Sequence, residues 1–124
     1  MRPRTLKAAK HRAWEAISKH IRSKEEHPKC VTCGVVKHWK KMHLGHFIHN
    51  LTYALEDGCF YVLEKNLHPQ CPSCNTYKNG ALDHYTLYMI DTYGREFIDE
   101  LHALKGKPLK MKIDDFWDIE KEYT

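Results

Sequence analysis

Apolar residues recur at helical spacing near the beginning of the chain. They lie three or four residues apart on one side of a helical projection, with Trp14 beside them: Leu6, Ala9, Ala13, Ile17 and Ile21. This spacing predicts an amphipathic helix. Because proline lacks a backbone donor and restricts the residue before it, Pro28 is expected to end this helix.

The middle of the chain changes to knuckle, strand and turn patterns. "CVTCG" predicts a metal-binding knuckle and "KKMHLGHFI" a short strand, and "CFYVL" at residues 59–63 is strand-like after a polar stretch through Asp57 and Gly58. Pro72 fits the first turn of a short helix and Gly80 its C-terminal end. The pattern therefore predicts short elements here, between helical regions on either side.

A second helical region occupies the C-terminal third. Its apolar side chains are predicted to share one side, with a break at Gly94: Leu87, Ile90, Tyr93, Phe97, Leu101 and Leu104. Pro108 separates this region from a last short helix, which Asp114 or Asp115 is expected to cap. An apolar cluster on that helix predicts a core contact or, alternatively, a contact with a partner subunit: Phe116, Trp117, Ile119 and Tyr123.

Length and composition predict one folded domain in an intracellular setting. The chain has 124 residues, 42% of them apolar and 29% charged, so its core is small enough that a metal or a second subunit would support it. The first residues, "MRPRTLKAAKHRAWEAI", lack the apolar core of a signal peptide, and no apolar run is long enough to span a bilayer. A cytoplasmic protein without a membrane partner is expected.

The charge is uneven along the chain. Residues 1–28 carry a net charge of +5, residues 29–90 carry +2 and residues 91–124 carry −3. A basic front end favours a helix that faces nucleic acid, although an ordinary solvated helix face has the same pattern. Five basic side chains lie mostly off the apolar stripe and are candidate phosphate contacts: Lys7, Lys10, Arg12, Lys19 and Arg22.

Four of the five cysteines form two CxxC pairs. Cys30 and Cys33 make the first pair, and Cys71 and Cys74 make the second. Two tight pairs of thiolates suit a closed tetrahedral zinc site, and a reducing compartment disfavours disulfides. The odd cysteine, Cys59, is most simply a small buried hydrophobe. The stretch between the pairs is longer than in a zinc ribbon, so its inserted residues are expected to carry the function.

The insert contains the histidines and asparagines of a nuclease pattern. "HLGHFIH" supplies His43, His46 and His49, Asn66 precedes the second cysteine pair, and Asn75 follows it at once. In the order His46, Asn66, Asn75, the sequence resembles the HNN version of the HNH, or ββα-metal, endonucleases. More closely, "CVTCG…LGHFI…EKNLHPQCPSCNTYKNGALDHYTLYMIDTYGREFIDEL" resembles the NinG family of phage lambda, also called Rap, which are recombination nucleases.

The resemblance covers roughly residues 30–102 and implies a fold and a function. The implied class is α+β, with a zinc-stapled, treble-clef-like ββα-metal core and flanking helices. A single nuclease domain of residues 1–124 would comprise a basic helix (1–28), the zinc and HNH core (29–82) and C-terminal helices (83–124). The implied function is metal-dependent DNA endonuclease activity on branched recombination intermediates such as Holliday junctions and D-loops. A phage or prophage origin, and a homodimer suited to symmetric junctions, are also expected.

Each motif residue has a chemical task by this resemblance. Phosphodiester hydrolysis needs a group that takes a proton from the attacking water, and a neutral imidazole near pH 7 suits that task. His46 is implied as this base. Asn75 is implied as an oxygen ligand of Mg²⁺ or Mn²⁺, which stabilises charge that develops on the phosphate. Asn66 is expected to bond backbone across the loop and aim His46, or else to be an ordinary turn residue.

The remaining candidates depart from the family pattern or are less specific. Many HNH enzymes have Asp or His directly before the base as a metal ligand, whereas this chain has Gly45. His43 is the expected substitute, although strand alternation would put it on the opposite face from His46 unless the strand bends. Lys78 is a candidate phosphate contact, and His68 is expected to be structural and not a ligand.

Other functional classes share part of this pattern. An HNH enzyme that serves DNA packaging, nicking or restriction would have the same catalytic residues. A zinc-dependent nucleic-acid-binding module would keep the cysteines and the basic helix without catalysis. A purely structural zinc protein is the third alternative, and the placement of histidine and asparagine disfavours it.

Overall fold

A computed structural model describes residues 2–48, 64–105 and 111–124. The helices are α1 (Leu6–Arg22), α2 (Leu82–Tyr93), α3 (Arg95–Lys105) and α4 (Ile113–Tyr123). The strands are β1 (His43–His46) and β2 (Leu67–Gln70), with a 3₁₀ turn at Trp39–Lys41 before β1 and a π-helical turn at Ser73–Tyr77 after β2. The predicted strand at 59–63, His49, Cys59 and Pro108 lie outside the described residues. None of the described helices is long and apolar enough to cross a membrane.

Helix α1 forms as predicted but is shorter. Thr5 caps it, because its hydroxyl oxygen accepts a hydrogen bond from the backbone N–H of Ala8 at 3.2 Å. The helix ends at Arg22, where the N–H of Ser23 bonds the carbonyl of Lys19 at 2.9 Å. The prediction that it extends to Pro28 is therefore wrong, since this local cap ends the helix first.

Helix α4 packs along α1 and forms the first core. Ile17 from α1 and Phe116 and Ile119 from α4 are buried there, together with Leu44 and Leu67 from the two strands. The core interpretation of the C-terminal apolar cluster is thus confirmed. Leu6 was expected in the same apolar stripe, but it is the first residue of α1 and its side chain is 52% exposed.

The start of α4 agrees with the predicted cap, with one adjustment. A carboxylate oxygen of Asp115 accepts a hydrogen bond from the backbone N–H of Lys112 at 2.7 Å. Asp115 lies inside the first turn, however, because the helix already begins at Ile113. The carboxylate also lies near the positive end of the helix dipole, which favours an acidic side chain there.

Helices α2 and α3 build a second core with the residues after β1. Gly94 breaks the helix at the predicted position, with φ of 86°. The predicted apolar stripe across this break is wrong in α2, because Leu87 is 60% exposed and Ile90 is 39% exposed. Helical spacing predicts which residues share a face only within one continuous helix, and the helix is interrupted at Gly94. The buried residues of this core are Phe47, Ile48, Tyr85, Met89, Ile98 and Leu101.

The two strands pair in antiparallel register between these cores. His43 lies opposite Gln70, Gly45 opposite His68, and His46 opposite Leu67. Leu44 points into the α1–α4 core, whereas the carbonyl of Gly45 accepts a hydrogen bond from Tyr85 of α2. The chain is therefore a mixed α+β protein with a small two-stranded sheet, as predicted at that level. Its division into segments 1–28, 29–82 and 83–124 stays a prediction.

Candidate functional site

The four paired cysteines converge on one point. Their sulfur atoms all lie within 4.8 Å of one another, and the sulfurs of Cys33 and Cys71, one from each pair, are 3.7 Å apart. Four sulfurs held about 2.3 Å from a tetrahedral zinc would be separated by roughly this distance. Cys30, Cys71 and Cys74 are buried and Cys33 is exposed. These residues can therefore hold a metal ion such as zinc.

The surroundings of the cysteines act on their ionisation in different directions: the pKa of Cys30 is lowered, whereas burial raises the pKa of Cys74 to about 12. The N–H of Cys74 donates to the sulfur of Cys71 at 3.5 Å. Burial opposes ionisation of Cys30, but hydrogen bonds from the Thr32 hydroxyl and from nearby backbone amides outweigh it and lower its pKa to about 6. A thiolate near neutral pH is the form that binds metal.

Gln70 connects the two cysteine pairs. It is fully buried, and its amide nitrogen donates to the hydroxyl of Thr32 at 3.1 Å and to the carbonyl of Gly80 at 2.7 Å. Thr32 lies between the first two cysteines, and Gly80 closes the turn after the second two. A Cβ atom on Gly45 would overlap the amide oxygen of Gln70. This close approach favours glycine at position 45.

Substituting Gly45 tests this contact. We expect Gly45→Ala to lower the free energy of unfolding by about 1–3 kcal/mol, the usual cost of an added methyl group in a tightly packed site. In the double variant Gly45→Ala/Gln70→Ala the methyl group has room, so this variant should be no less stable than Gln70→Ala alone. Urea unfolding at fixed zinc concentration measures all three, and additive losses would contradict the contact.

Asn75 lies beside His43 across the surface of the hairpin. Its side-chain nitrogen is 3.1 Å from Nδ1 of His43, and His43 is exposed. Asn75 belongs to the π-helical turn that begins with Ser73, and its N–H bonds the carbonyl of Cys71 at 2.9 Å. The cysteine cluster thus fixes the backbone that carries Asn75. A turn of the amide would direct its oxygen to an ion that His43 also contacts, so the pair fits two ligands of a divalent cation.

His46 lies on the other side of β1. Its ring stacks on Trp14 of α1, with ring centroids 4.9 Å apart and an angle of 9° between the planes. The strand pairs regularly through Gly45, so His43 and His46 point to opposite faces, as simple alternation predicts. The bend at Gly45 that would bring both onto one metal does not form in the described strand.

Asn66 is fully buried at the junction between the strands. Its side-chain oxygen accepts a hydrogen bond from the N–H of Ile48 at 2.9 Å, and its nitrogen donates to the carbonyl of Ile48 at 3.0 Å. Its own carbonyl accepts from the N–H of Phe47 at 2.9 Å. These are bonds to backbone across the loop, the kind of contact expected of Asn66. They fix the two residues that follow His46, while a part in cleavage stays a prediction.

His68 is structural in its contacts, as expected. Tyr85 donates to the carbonyl of Gly45 at 2.9 Å, so Nδ1–H of His68 donates to the Tyr85 oxygen at 2.9 Å. The hydroxyl of Tyr93 then donates to Nε2 at 2.8 Å. Burial, with a smaller effect from the charge of Lys24, lowers the pKa of His68 to about 4. The chain of bonds therefore uses the neutral imidazole.

With this geometry in place, sequence comparison assigns the family. The profile described as "NinG: Bacteriophage Lambda NinG protein" matches residues 1–124, the full length of the chain. The chain belongs to the NinG family. The predicted resemblance to this family is thereby confirmed. The description of the family states no activity.

Individual relatives of this NinG-family chain come from several phages. Protein ninG of Escherichia phage lambda is 29% identical over 111 residues, which are 90% of this chain and 52% of the lambda protein. Protein ninG of Escherichia phage 933W is 31% identical over 91 residues, 73% of this chain and 43% of that protein. Protein ninG of Salmonella phage P22 is 30% identical over 91 residues. The chain thus spans about half the length of these relatives or less. No solved structure matches it.

The predicted phosphate contacts of the NinG-family chain fall into distinct places. Lys7 and Lys10 are exposed and share the side of α1 that carries Trp14, because positions four and seven apart lie above one another on a helix. Arg12 and Lys19 form a second row, where Arg12 pairs with Glu120 of α4 at 2.7 Å. Lys78, outside α1, is exposed after the π-helical turn.

Arg22 differs from the other basic residues. Its guanidinium donates to the Ser18 hydroxyl at 2.8 Å and to the carbonyls of Trp39 and Met42 at 3.1 and 3.2 Å. It also lies over the Trp39 ring, 5.4 Å from the centroid. These contacts join α1 to the segment before β1, and a phosphate contact of Arg22 stays a prediction.

The sequence reading of this NinG-family chain missed several residues around the site. Gln70, Tyr85 and Trp14 were assigned no site function, yet Gln70 bonds the turn after the second cysteine pair, Tyr85 bonds Gly45 and Trp14 stacks on His46. For Gln70 a signal existed, since a polar residue directly before a buried cysteine needs hydrogen-bond partners. Trp14 and Tyr85 carried no such signal, because an aromatic residue in a helical segment usually belongs to the core.

The pKa of His68 predicts a pH dependence of stability. The folded chain keeps His68 neutral down to about pH 4, whereas a histidine in the unfolded chain takes up a proton near pH 6.5. The unfolded state therefore binds more protons between these values, and stability falls as the pH is lowered through this window. The loss is on the order of 3 kcal/mol.

Denaturant unfolding between pH 6.5 and 4.5 measures this dependence. His68→Gln should show a shallower fall in the free energy of unfolding than the wild type. His84→Gln is the matched control, because His84 lies exposed on α2, and it should keep the wild-type slope. Loss of zinc at low pH affects all three proteins, so only the difference counts. Equal slopes for His68→Gln and the wild type would contradict the prediction.

Proposed function

We propose that this chain is a metal-dependent DNA endonuclease of the HNH type, with a structural zinc on the four cysteines and Mg²⁺ or Mn²⁺ at the catalytic site. The observation that carries the proposal is the contact between Asn75 and His43, 3.1 Å long, directly beside the cysteine cluster. A cluster used only for folding has no need of an amide and an imidazole positioned together on its surface.

Each residue has a task in the proposed reaction. His46 accepts the proton of the attacking water, which requires a neutral imidazole. Asn75 and His43 would hold the divalent cation, which stabilises negative charge on the phosphate when bound. Asn66 fixes the backbone immediately after His46 through its two bonds to Ile48. Gln70 bonds Gly80 after the Asn75 turn, and a zinc on the four cysteines would hold the start of that turn.

The finer features of the proposal come from the family resemblance. They comprise the ββα-metal description of the core, branched substrates such as Holliday junctions and D-loops, and an intracellular homodimer. A homodimer suits a four-way junction, because two symmetric strands must be cut by two equivalent sites. The basic rows on α1 support DNA as the partner.

Cleavage assays test the proposal directly. Purified protein is incubated with linear duplex, flap and four-way junction DNA of matched sequence, with Mg²⁺, Mn²⁺ or no added divalent metal. We expect metal-dependent cuts, most rapid on the branched substrates. Equal cutting of all three shapes would favour a nicking, packaging or restriction type of HNH enzyme, and no cutting under any condition would refute endonuclease activity.

A zinc-dependent nucleic-acid-binding module is the second candidate. The opposite orientation of His43 and His46 on β1 favours it, because a base and a metal ligand on different faces are farther from a common phosphate. Such a module would bind DNA with a zinc-dependent fold and cleave none of the substrates. Binding without cleavage in the same assay would select it.

The basic rows of α1 predict a salt-dependent interaction with DNA. Reversing the charges of Lys7, Lys10 and Lys19 should weaken binding to every DNA shape and make its salt dependence shallower. Each phosphate contact adds about 0.9 to the slope of log affinity against log salt on duplex DNA. Titrations at several salt concentrations measure the slope, and the rate at saturating DNA should change little.

A control separates contact from net charge. Lys121→Glu changes the net charge by the same amount as Lys10→Glu, but at an exposed position of α4. It should alter the salt dependence of DNA affinity less than Lys10→Glu does. Sedimentation checks the oligomeric state alongside. An unchanged slope together with a lost dimer would refute DNA contact and indicate that α1 packs against a second subunit.

A further inference from the structure

We infer that Trp14 is a positioning residue for His46, and that the N-terminal helix is therefore part of the active site. This inference rests on the proposed function, which makes His46 the base. The motif residues all come from the region after the first cysteine, so nothing in the motif assigns a task to α1. The structure brings the two rings together across 32 positions of the chain.

The geometry of the contact fixes the plane of the imidazole. The ring centroids are 4.9 Å apart and the planes differ by only 9°, which is a stacked pair within the range of favourable aromatic contacts. His46 is the last residue of β1, so the strand pairing fixes its backbone. Torsion about the bond to an aromatic ring is a broad rotor, and a flat neighbour restricts it.

Stacking suits a base better than a hydrogen bond would. The contact uses the face of the ring and occupies neither nitrogen. When the imidazole takes up a proton, the electron-rich indole face attracts the resulting cation. Trp14 thus holds the ring before the reaction and favours its charged form during it.

The backbone around Trp14 makes this support rigid. Trp14 is partly buried against the α1–α4 core, next to the fully buried Ala13 and within one turn of Ile17. Lys10 lies one turn before it on the same side of α1, and Lys7 lies two turns before it. The proposed DNA contacts of these lysines therefore lie on the side of α1 that carries Trp14.

Three variants separate positioning from folding. Trp14→Leu removes the stacking surface, Trp14→Phe keeps a smaller one, and Trp117→Leu is the matched control. Trp117 packs against the same core from α4, but its ring is bound through Nε1 to the carbonyl of Pro3 at 2.8 Å. Circular dichroism and zinc content establish that each variant is folded.

Kinetics on cleavable DNA gives the first readout. We expect Trp14→Leu to lower kcat on the order of 10- to 100-fold, the usual cost of a misplaced catalytic group, with KM nearly unchanged. Trp14→Phe should recover most of the rate, and Trp117→Leu should retain it. A folded Trp14→Leu protein with wild-type kcat, or with a change in KM alone, would overturn the inference.

Nuclear magnetic resonance gives a readout that does not depend on cleavage. The ring protons of His46, assigned by their loss in His46→Ala, should resonate upfield because of the indole ring current, move downfield in Trp14→Leu and stay unchanged in Trp117→Leu. His46 ring-proton shifts that are the same in Trp14→Leu and in the wild type would refute the positioning. If the wild type shows the shift but cuts no DNA, the proposed function fails while the positioning of His46 stands.

Discussion

Replacing Cys71 by serine is expected to unfold the chain and abolish stoichiometric zinc binding. The sulfurs of Cys71 and Cys33 are 3.7 Å apart and close the gap between the two pairs, so losing one opens the tetrahedral set. Structural zinc in small domains contributes on the order of 10–16 kcal/mol of apparent binding free energy near neutral pH. A domain of this size has a net stability of about 5–15 kcal/mol, so the metal decides whether it folds.

Elemental analysis and circular dichroism of the purified variant check this result. The control is Cys59→Ser, which removes the fifth thiol and leaves both pairs intact, and it should keep one zinc per chain. A chelator should unfold the wild type with the same spectrum as Cys71→Ser, and added zinc should refold only the wild type. Folded and active wild-type protein without zinc would refute the structural metal site.

Local sequence patterns predicted the features that are determined by residues close together in the chain. Helix α1 followed from one unbroken apolar stripe, and the break at Gly94 followed from the backbone freedom of glycine. The cysteine cluster followed from two fixed spacings that thiolate ligands require. The predicted apolar stripe was wrong in α2 because the helical spacing was continued across the break at Gly94. The buried residues of α2 are Tyr85 and Met89.

The contacts that shape the candidate site were beyond the reach of sequence patterns. Trp14 stacks on His46, and Tyr85 donates a hydrogen bond to the carbonyl of Gly45, although each pair is far apart in the chain. Such pairs depend on how helices dock on the hairpin, which no local periodicity encodes. Arg22 shows the same limit, since a basic residue off the apolar stripe looked solvated until Trp39 and Met42 were placed beside it.

The separation of His43 and His46 changes what the motif predicts about catalysis. Sequence alone left open whether a bend at Gly45 brings them together. The regular register of the strand pair places them on opposite faces. The proposed base and the proposed metal ligands are thus supported by different parts of the fold, and variants on the two faces should fail in different ways.

His46→Ala is expected to slow cleavage by roughly 10²- to 10⁴-fold, the usual contribution of a positioned general base. Zinc content and DNA affinity should stay close to those of the wild type, because His46 lies apart from the cysteines and is not a predicted phosphate contact. Single-turnover rates at saturating DNA, with the same metal and pH for both proteins, measure the effect. His84→Ala, at an exposed position of α2, controls for loss of an imidazole elsewhere.

Variants on the other face should instead change the metal requirement. Asn75→Ala should need a higher Mg²⁺ or Mn²⁺ concentration for half-maximal rate, and Asn75→Asp should partly restore it, because a carboxylate is a stronger oxygen ligand than an amide. His43→Ala should act like Asn75→Ala, since the two side chains are 3.1 Å apart. Added metal should rescue these variants but not His46→Ala. A near-wild-type rate for His46→Ala would remove this histidine from the mechanism, and rescue of it by metal would make it a ligand and not the base.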